Sequence, residues 1–285
     1  MPVIQTASPA GLVVSTLYRT FSSSITDYTY VDFCAGAGGP TPFIEKELNA
    51  QLSSGHAQST ENYSQKGNGL VPRSPRPAIP QPAAVKFVLT DLHPHIPDWT
   101  EAAKKSENLS FISEPVDAAN APSHLNSQNG KKIFRLYNLA FHHFDDELGS
   151  SILRNTLETA DGFGYALSNF ITLPMLTLHS IFELQERTIS SLITICLMGL
   201  LMFFITPFYF WRSPTHLFFT YIIPVIPFVL VFDGYISSLR TRSPGEIQAL
   251  MNQCGASCEG WTIKSGNEMH TFPTGYMTWI IAVKN

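Results

Sequence analysis

The chain has 285 residues, 44% hydrophobic and 14% charged, enough apolar sequence for one full α/β core with length left for an insertion or a membrane element. Its formal net charge of -4 lacks the basic footprint of a dedicated nucleic-acid binder and excludes nucleic acid as the expected partner. Of its four cysteines, the nearest pair, Cys254 and Cys258, has neither a second pair nor flanking histidines, so free thiols are expected and a metal is not. The first segment, residues 1–27, carries no long apolar run and does not read as a secretory signal. Tyr28 to Phe33 is a β-prone stretch that runs into Cys34-Ala35-Gly36-Ala37-Gly38-Gly39, a strand followed by a tight turn. Pro42, Glu45 and the apolar spacing from Thr41 to Leu48 then predict a helix.

From Ser53 to Ala84 the composition is polar and rich in Gly and Pro, which predicts a mobile loop. Val85 to Thr90 is a second strand ending on Asp91-Leu92-His93-Pro94, and Leu109 to Ile112 a third that leads to Glu114-Pro115-Val116-Asp117. Lys132 to Leu139 is a fourth, followed by Ala140-Phe141-His142-His143-Phe144-Asp145-Asp146 and a helix from Glu147 to Ala160. Alternating strands and helices predict a mostly parallel sheet with ligands at its C-terminal edge.

Thr188 to Trp211 contains no charged residue and at about 1.5 Å per residue is long enough to cross a hydrocarbon core of about 30 Å. A second apolar run, His216 to Phe232, contains Pro224 and Pro227 and ends at Asp233, so residues 188–232 are expected to form a transmembrane or membrane-embedded helical hairpin. Arg187 before it and Arg240 and Arg242 after it place both flanks in the cytosol, with Arg212 at the turn as the dissent. Residues 233–285 return to the core, through a helix opened by Ser243-Pro244-Gly245-Glu246 and two final strands at Gly260–Lys264 and Met277–Val283, expected as an antiparallel hairpin.

The glycine turn lets a ligand approach the backbone and aims amide donors at it. A carboxylate at the second strand end can accept from both hydroxyls of a ribose, and one at the third from an adenine amino group. With VDFCAGAGGPTPFIEKEL in the place of the first motif, VLTDLHP as the second and EPVDA as the third, the chain from Tyr28 to Val283 resembles a class I S-adenosylmethionine-dependent methyltransferase. The resemblance implies an α/β, Rossmann-like sheet, mostly parallel with an antiparallel last strand, here carrying an inserted hydrophobic helical hairpin. It also implies that the turn after the Glu147 to Ala160 helix passes directly into the fifth strand, so that Gly162-Phe163-Gly164 would join Ile181-Phe182-Glu183-Leu184 and residues 165–180 read as foreign to the sheet, either a retained short intron or an amphipathic segment lying on a membrane. It implies S-adenosylmethionine as cofactor, with Gly36 and Gly38 on the methionine moiety, Asp91 on the ribose and Asp117 on the adenine; Asp32, Cys34, Ala35, Leu92, Ala118 and Asn138 complete the expected cofactor-binding set. A dinucleotide fold is disfavoured, because Gly36-Ala37-Gly38-Gly39-Pro40-Thr41 breaks the G-x-G-x-x-G pattern.

His142 and His143 stand at the rim where a methyl group is transferred, and are the candidates for a general base. Asp145 and Asp146 read as the cap of the next helix. Read together, these features describe a membrane protein with its catalytic domain facing the cytosol, methylating a lipophilic small molecule at the membrane surface. The competing class is a non-catalytic, repurposed fold acting as a membrane-associated interaction or regulatory protein.

Overall fold

The computed structural model describes residues 4–5, 8–65, 84–126, 132–168, 187–272 and 275–285. Eight strands form one sheet: β1 (Ile4–Gln5), β2 (Tyr28–Phe33), β3 (Phe87–Thr90), β4 (Leu109–Phe111), β5 (Lys132–Leu136), β6 (Gly162–Ser168), β7 (Trp261–Phe272) and β8 (Gly275–Lys284), in the spatial order 1-7-8-6-5-2-3-4. The five strands β4-β3-β2-β5-β6 are parallel, while β8, β7 and β1 continue the sheet antiparallel. The chain therefore has an α/β, Rossmann-like sheet, mostly parallel with its last strands antiparallel. From β2 the chain moves outward through β3 and β4, then returns to the other side of β2 for β5 and β6. That reversal opens a crevice at the C-terminal ends of β2 and β5, where ligands bind in open α/β sheets.

The side-chain period of two decides what each face buries. Val31, Phe33, Ile133, Tyr137, Phe163, Ile280 and Ala282 pack under α4 (Asp146–Thr159) and α8 (Pro244–Gln253), against Ile152, Leu153, Leu157, Ile247 and Met251. On the opposite face Tyr28, Tyr30, Phe87, Leu89, Phe134 and Leu136 pack under α1 (Pro9–Phe21), α2 (Thr41–Gln65) and α3 (Ile96–Ala103), against Val14, Leu17, Ile44, Leu48 and Trp99. Each fully buried side chain of this kind contributes roughly 1.5–3 kcal/mol. The helix starts carry their own signals: Ser8, Asp145 and Ser243 each accept a backbone N–H of the first turn, and Ser243 with Glu246 forms a reciprocal capping box.

Several boundaries differ from the sequence reading; among them, the strand expected at Gly260–Lys264 runs on to Phe272 as β7. Helix α2 takes residues 53–65, which composition assigns to the loop, because no proline interrupts the chain before Pro72; residues 66–83 lie outside the described residues. Tyr165 to Ser168, read as the start of a foreign segment, continue β6 and pair with Ile280, Trp279, Thr278 and Met277 of β8; the joined strand through residues 181–184, like residues 169–180, lies outside the described residues. The second apolar run is two helices, α6 (Pro214–Tyr221) and α7 (Val225–Arg240), bent by 66° at Ile222–Pro224, where Pro224 disfavours the helical region for Ile223.

The first apolar run is one helix, α5 (Ile189–Phe210), whose Ser191–Phe210 stretch has a mean hydropathy of 2.2 and is long and apolar enough to cross a membrane. It packs along α7 through small residues: a Cβ on Gly199 would collide with Val231, and one on Gly234 would stand 3.0 Å from Ile195. Only 28% of the apolar stretch is buried by the protein, and Phe204, Phe208, Trp211, Ile222 and Phe228 all expose more than half of their surface.

Candidate functional site

The turn after β2 adopts a conformation that few side chains tolerate. Gly36, Gly38 and Gly39 have φ of 53°, 106° and 49°, and Cys34, which is not a glycine, has 65°. A residue with a Cβ held there costs on the order of 1–3 kcal/mol, and four hydrogen bonds hold the turn. The Ala35 N–H donates to Thr90 O (3.0 Å) and the Gly38 N–H to Ala35 O (2.8 Å). The buried Trp99 indole donates to Gly36 O at 2.8 Å, and the Gly36 N–H donates to Asp91 Oδ2 at 2.8 Å. On its open side a Cβ at Gly36 would meet no atom within 4 Å, so the turn presents bare backbone to the crevice. Asp91 Oδ1 accepts the His93 N–H at 2.8 Å. Each carboxylate oxygen keeps a further lone pair for a ligand hydroxyl.

Below the turn lies a buried polar chain. The Asn138 side-chain amide donates to Thr41 Oγ1 (2.9 Å), the Thr41 hydroxyl donates to Asp32 Oδ2, and the Thr90 hydroxyl donates to Asp32 O (2.9 Å). Asp32 is 1% exposed, and its Oδ1 has no hydrogen-bond partner among the described residues. Burial pushes its carboxyl up to about 7, against the donors from Thr41 and Asn138 that hold it down. Cys34 is affected the same way: burial first, then the carboxylates of Asp91, Asp32 and Asp117, raise its thiol to about 12. The thiol therefore stays protonated and is no nucleophile at neutral pH. Three carboxylates around one thiol and an open glycine turn make a site of negative potential, suited to a ligand that carries positive charge next to hydroxyls.

Asp117 stands at the third strand end and caps the short turn Ala118–Asn120 by accepting the Ala119 N–H at 2.8 Å. The Val116 N–H donates to Asp91 O at 2.9 Å, tying the second and third edges together. Leu92 is 51% exposed beside the crevice mouth, while Ala118 is buried in the core. Hydrogen bonds thus join Asp32, Asn138, Ala35 and Gly38 through Thr41 and Thr90, and Gly36 to Asp91 beside them, with Cys34 and Asp117 tied in by electrostatics. His142 and His143 lie on the turn after Asn138 with ring centroids 4.0 Å apart; His142 is 3% exposed and His143 exposed. Their turn is held by the end of the hairpin: Arg242 donates to Phe141 O and Phe144 O (both 2.9 Å) and to Asp146 Oδ1 (2.8 Å), and Arg240 to His143 O (3.1 Å).

Beside Asn138, between α1 and the sheet, Val13, Leu17, Leu136, Met277, Trp279 and Ile281 line an apolar cavity of about 20 Å³, room for one water. Thr41, Trp99 and Arg242 escape the sequence reading. Thr41 had a visible signal, a hydroxyl at the first helical position after the glycines; the indole of Trp99 and the guanidinium of Arg242 act across 63 and about 100 residues of chain, where local spacing carries no information.

No protein-family model and no curated protein sequence matches the chain. Among solved structures, the plantazolicin methyltransferase BpumL in complex with S-adenosylhomocysteine aligns at 12% identity and a TM-score of 0.47, covering 97% of this chain and 85% of that one. The methyltransferase domain of bacterial CtHen1 aligns at 8% identity and a TM-score of 0.44, covering 96% and 95%. LepI in complex with S-adenosylmethionine aligns at 11% identity and a TM-score of 0.39; the chain spans 46% of its length.

Proposed function

We propose that the chain is an S-adenosylmethionine-dependent methyltransferase that acts on a lipophilic small molecule at a membrane surface. The observation that carries the cofactor is the set of carboxylates, Asp32, Asp91 and Asp117, around a glycine turn whose open side meets nothing within 4 Å. A cationic sulfonium, an ammonium, a ribose and an adenine need negative potential and acceptors in that arrangement. Gly36 and Gly38, with Cys34 and Ala35, line the methionine part; Asp91 and Leu92 hold the ribose; Asp117 and Ala118 hold the adenine; Asp32 and Asn138 support the methionine end from below. The cofactor, when bound, supplies an electrophilic methyl group. The protein contributes position and charge, which account for a large share of catalysis in a displacement reaction. Of the two histidines, the exposed His143 is assigned to take the proton from an acceptor hydroxyl, with the buried His142 against its ring.

The membrane part of the reading rests on α5 and on the exposed apolar side chains of α5 to α7, which water would penalise and a hydrocarbon core would not. Both ends of this excursion enter one sheet, so both flanks lie on one side, which the arginines at 187, 240 and 242 assign to the cytosol. The side chains beside Asn138 are apolar, the chemistry a lipophilic acceptor needs, in a cavity that as it stands has room for one water. Titration calorimetry with S-adenosylmethionine tests the cofactor. Binding by the wild type, lost in Asp91→Ala and in Gly36→Val, is the expected result. No binding by the wild type, or binding unchanged by both substitutions, sinks the reading.

A further inference from the structure

At the base of the hairpin, between the start of α4, the end of α7 and the start of α8, lies a cleft of about 520 Å³ lined by Arg187, Arg240, Arg242, Asp145, Asp146 and Glu246. Four of these six charges are matched within the protein. Arg187 pairs with Glu246 at 2.7 Å and Arg242 with Asp146 at 2.8 Å. Arg240 and Asp145 are different. Arg240 donates to the carbonyl of His143, and Asp145 accepts the Leu148 N–H as the cap of α4; among the described residues neither has an ion-pair partner. Both are exposed at the cleft. The cleft thus offers one unmatched guanidinium and one unmatched carboxylate, with the exposed Leu239 on its wall. It stands where the apolar hairpin meets the soluble domain, the level of a lipid headgroup layer.

We propose that this cleft binds the headgroup of a zwitterionic phospholipid, its phosphate on Arg240 and its ammonium on Asp145, with an acyl chain leaving along Leu239 and α7. The proposal rests on the membrane reading of the hairpin. A guanidinium fork matches phosphate oxygens, and a carboxylate matches an ammonium, each better than water when the site is partly closed. The lipid so held sits beside the turn that carries His143, because Arg240 contacts both. It would fix the catalytic rim at a set height over the bilayer.

The test uses the full chain, extracted in a maltoside detergent that contains no phosphate, with phosphatidylethanolamine added and bound lipid counted by native mass spectrometry. The wild type retains one lipid per chain. Arg240→Gln lowers retention about ten-fold or more, the loss of one charge-assisted contact, and Arg240→Lys restores part of it. Asp145→Asn keeps the helix cap, since Asn caps as well as Asp, but removes the charge; it weakens phosphatidylethanolamine and leaves phosphatidic acid, which has no ammonium, unchanged. Equal retention by wild type and Arg240→Gln, or equal effects of Asp145→Asn on both lipids, overturns the proposal. Glycerophosphoethanolamine, the same headgroup without chains, competes only at far higher concentration; if it competes equally, the ligand is a soluble phosphodiester and the lipid assignment is wrong. Alkaline carbonate washing of membranes separates the two readings: a wild type released from the pellet overturns the hairpin reading and this proposal with it, whereas a wild type that stays pelleted yet retains no lipid overturns this proposal alone.

Discussion

Asp32 shows how the site trades stability for function. Its carboxyl is buried with one oxygen unpartnered and titrates near 7 in the folded chain, against about 3.9 when unfolded. Between those values the folded state holds a proton that the unfolded state has lost, so stability is greatest at the acid end of the window and falls as pH rises from about 4 to 7. The loss is on the order of 4 kcal/mol, from about three pK units at about 1.4 kcal/mol each. Asp32→Asn keeps an acceptor for the Thr41 hydroxyl and removes the titration. Denaturant unfolding should find the substituted chain more stable than wild type at pH 8 and free of this fall; a wild-type stability that is flat between pH 5 and 8 contradicts the assignment. Asp91 and Asp117 were legible as strand-end carboxylates because each follows a β-prone run within a few residues, and Asp32 as the carboxylate inside the first such run. That its carboxyl is lifted to about 7 was not, since this depends on a sheet that closes over it and outweighs the donors from Thr41 and Asn138.

Among the elements, α5 carries a proline that its surroundings accommodate. Pro207 lies inside the helix and lacks the N–H that would bond the carbonyl four residues earlier, that of Phe203. The Tyr221 hydroxyl, from α6, donates to that same Phe203 carbonyl. An unpaired carbonyl on an apolar helix is costly, and a side chain from a neighbouring helix takes the place of the missing amide. Tyr221→Phe should lower stability by about 1–3 kcal/mol, the cost of an orphaned carbonyl, and Pro207→Ala in the same chain should recover most of it by restoring the helix bond. Thermal unfolding in detergent reads both; a double variant no more stable than Tyr221→Phe alone rules the substitution of partners out. Sequence gave the apolar length of this helix, whose period and composition are local. It did not give the break at Pro224 as a 66° bend, nor α1, although Ser8 and Pro9 are a visible cap and first-turn pair. Tyr165 to Ser168 were misplaced for another reason: only pairing with β8 shows that they extend the strand.

On the scale of the molecule, one sheet receives the chain on both sides of an apolar excursion. Strand β6 precedes α5, and β8 follows α8 and pairs with β6 along its whole length. The hairpin and the crevice are therefore mechanically joined, and Arg240 and Arg242 make the join at the histidine turn. In the proposed function, this geometry links a cationic cofactor on one side to a lipophilic acceptor delivered from the bilayer on the other. The most direct measurement supplies the full chain, in the membrane fraction of cells that express it, with S-adenosylmethionine labelled in its methyl group, and partitions the products between water and organic solvent. Label transferred to a compound in the organic phase, and absent with Asp91→Ala, is the expected result. Label that never leaves the cofactor, or that appears in organic products equally with Asp91→Ala, contradicts the account.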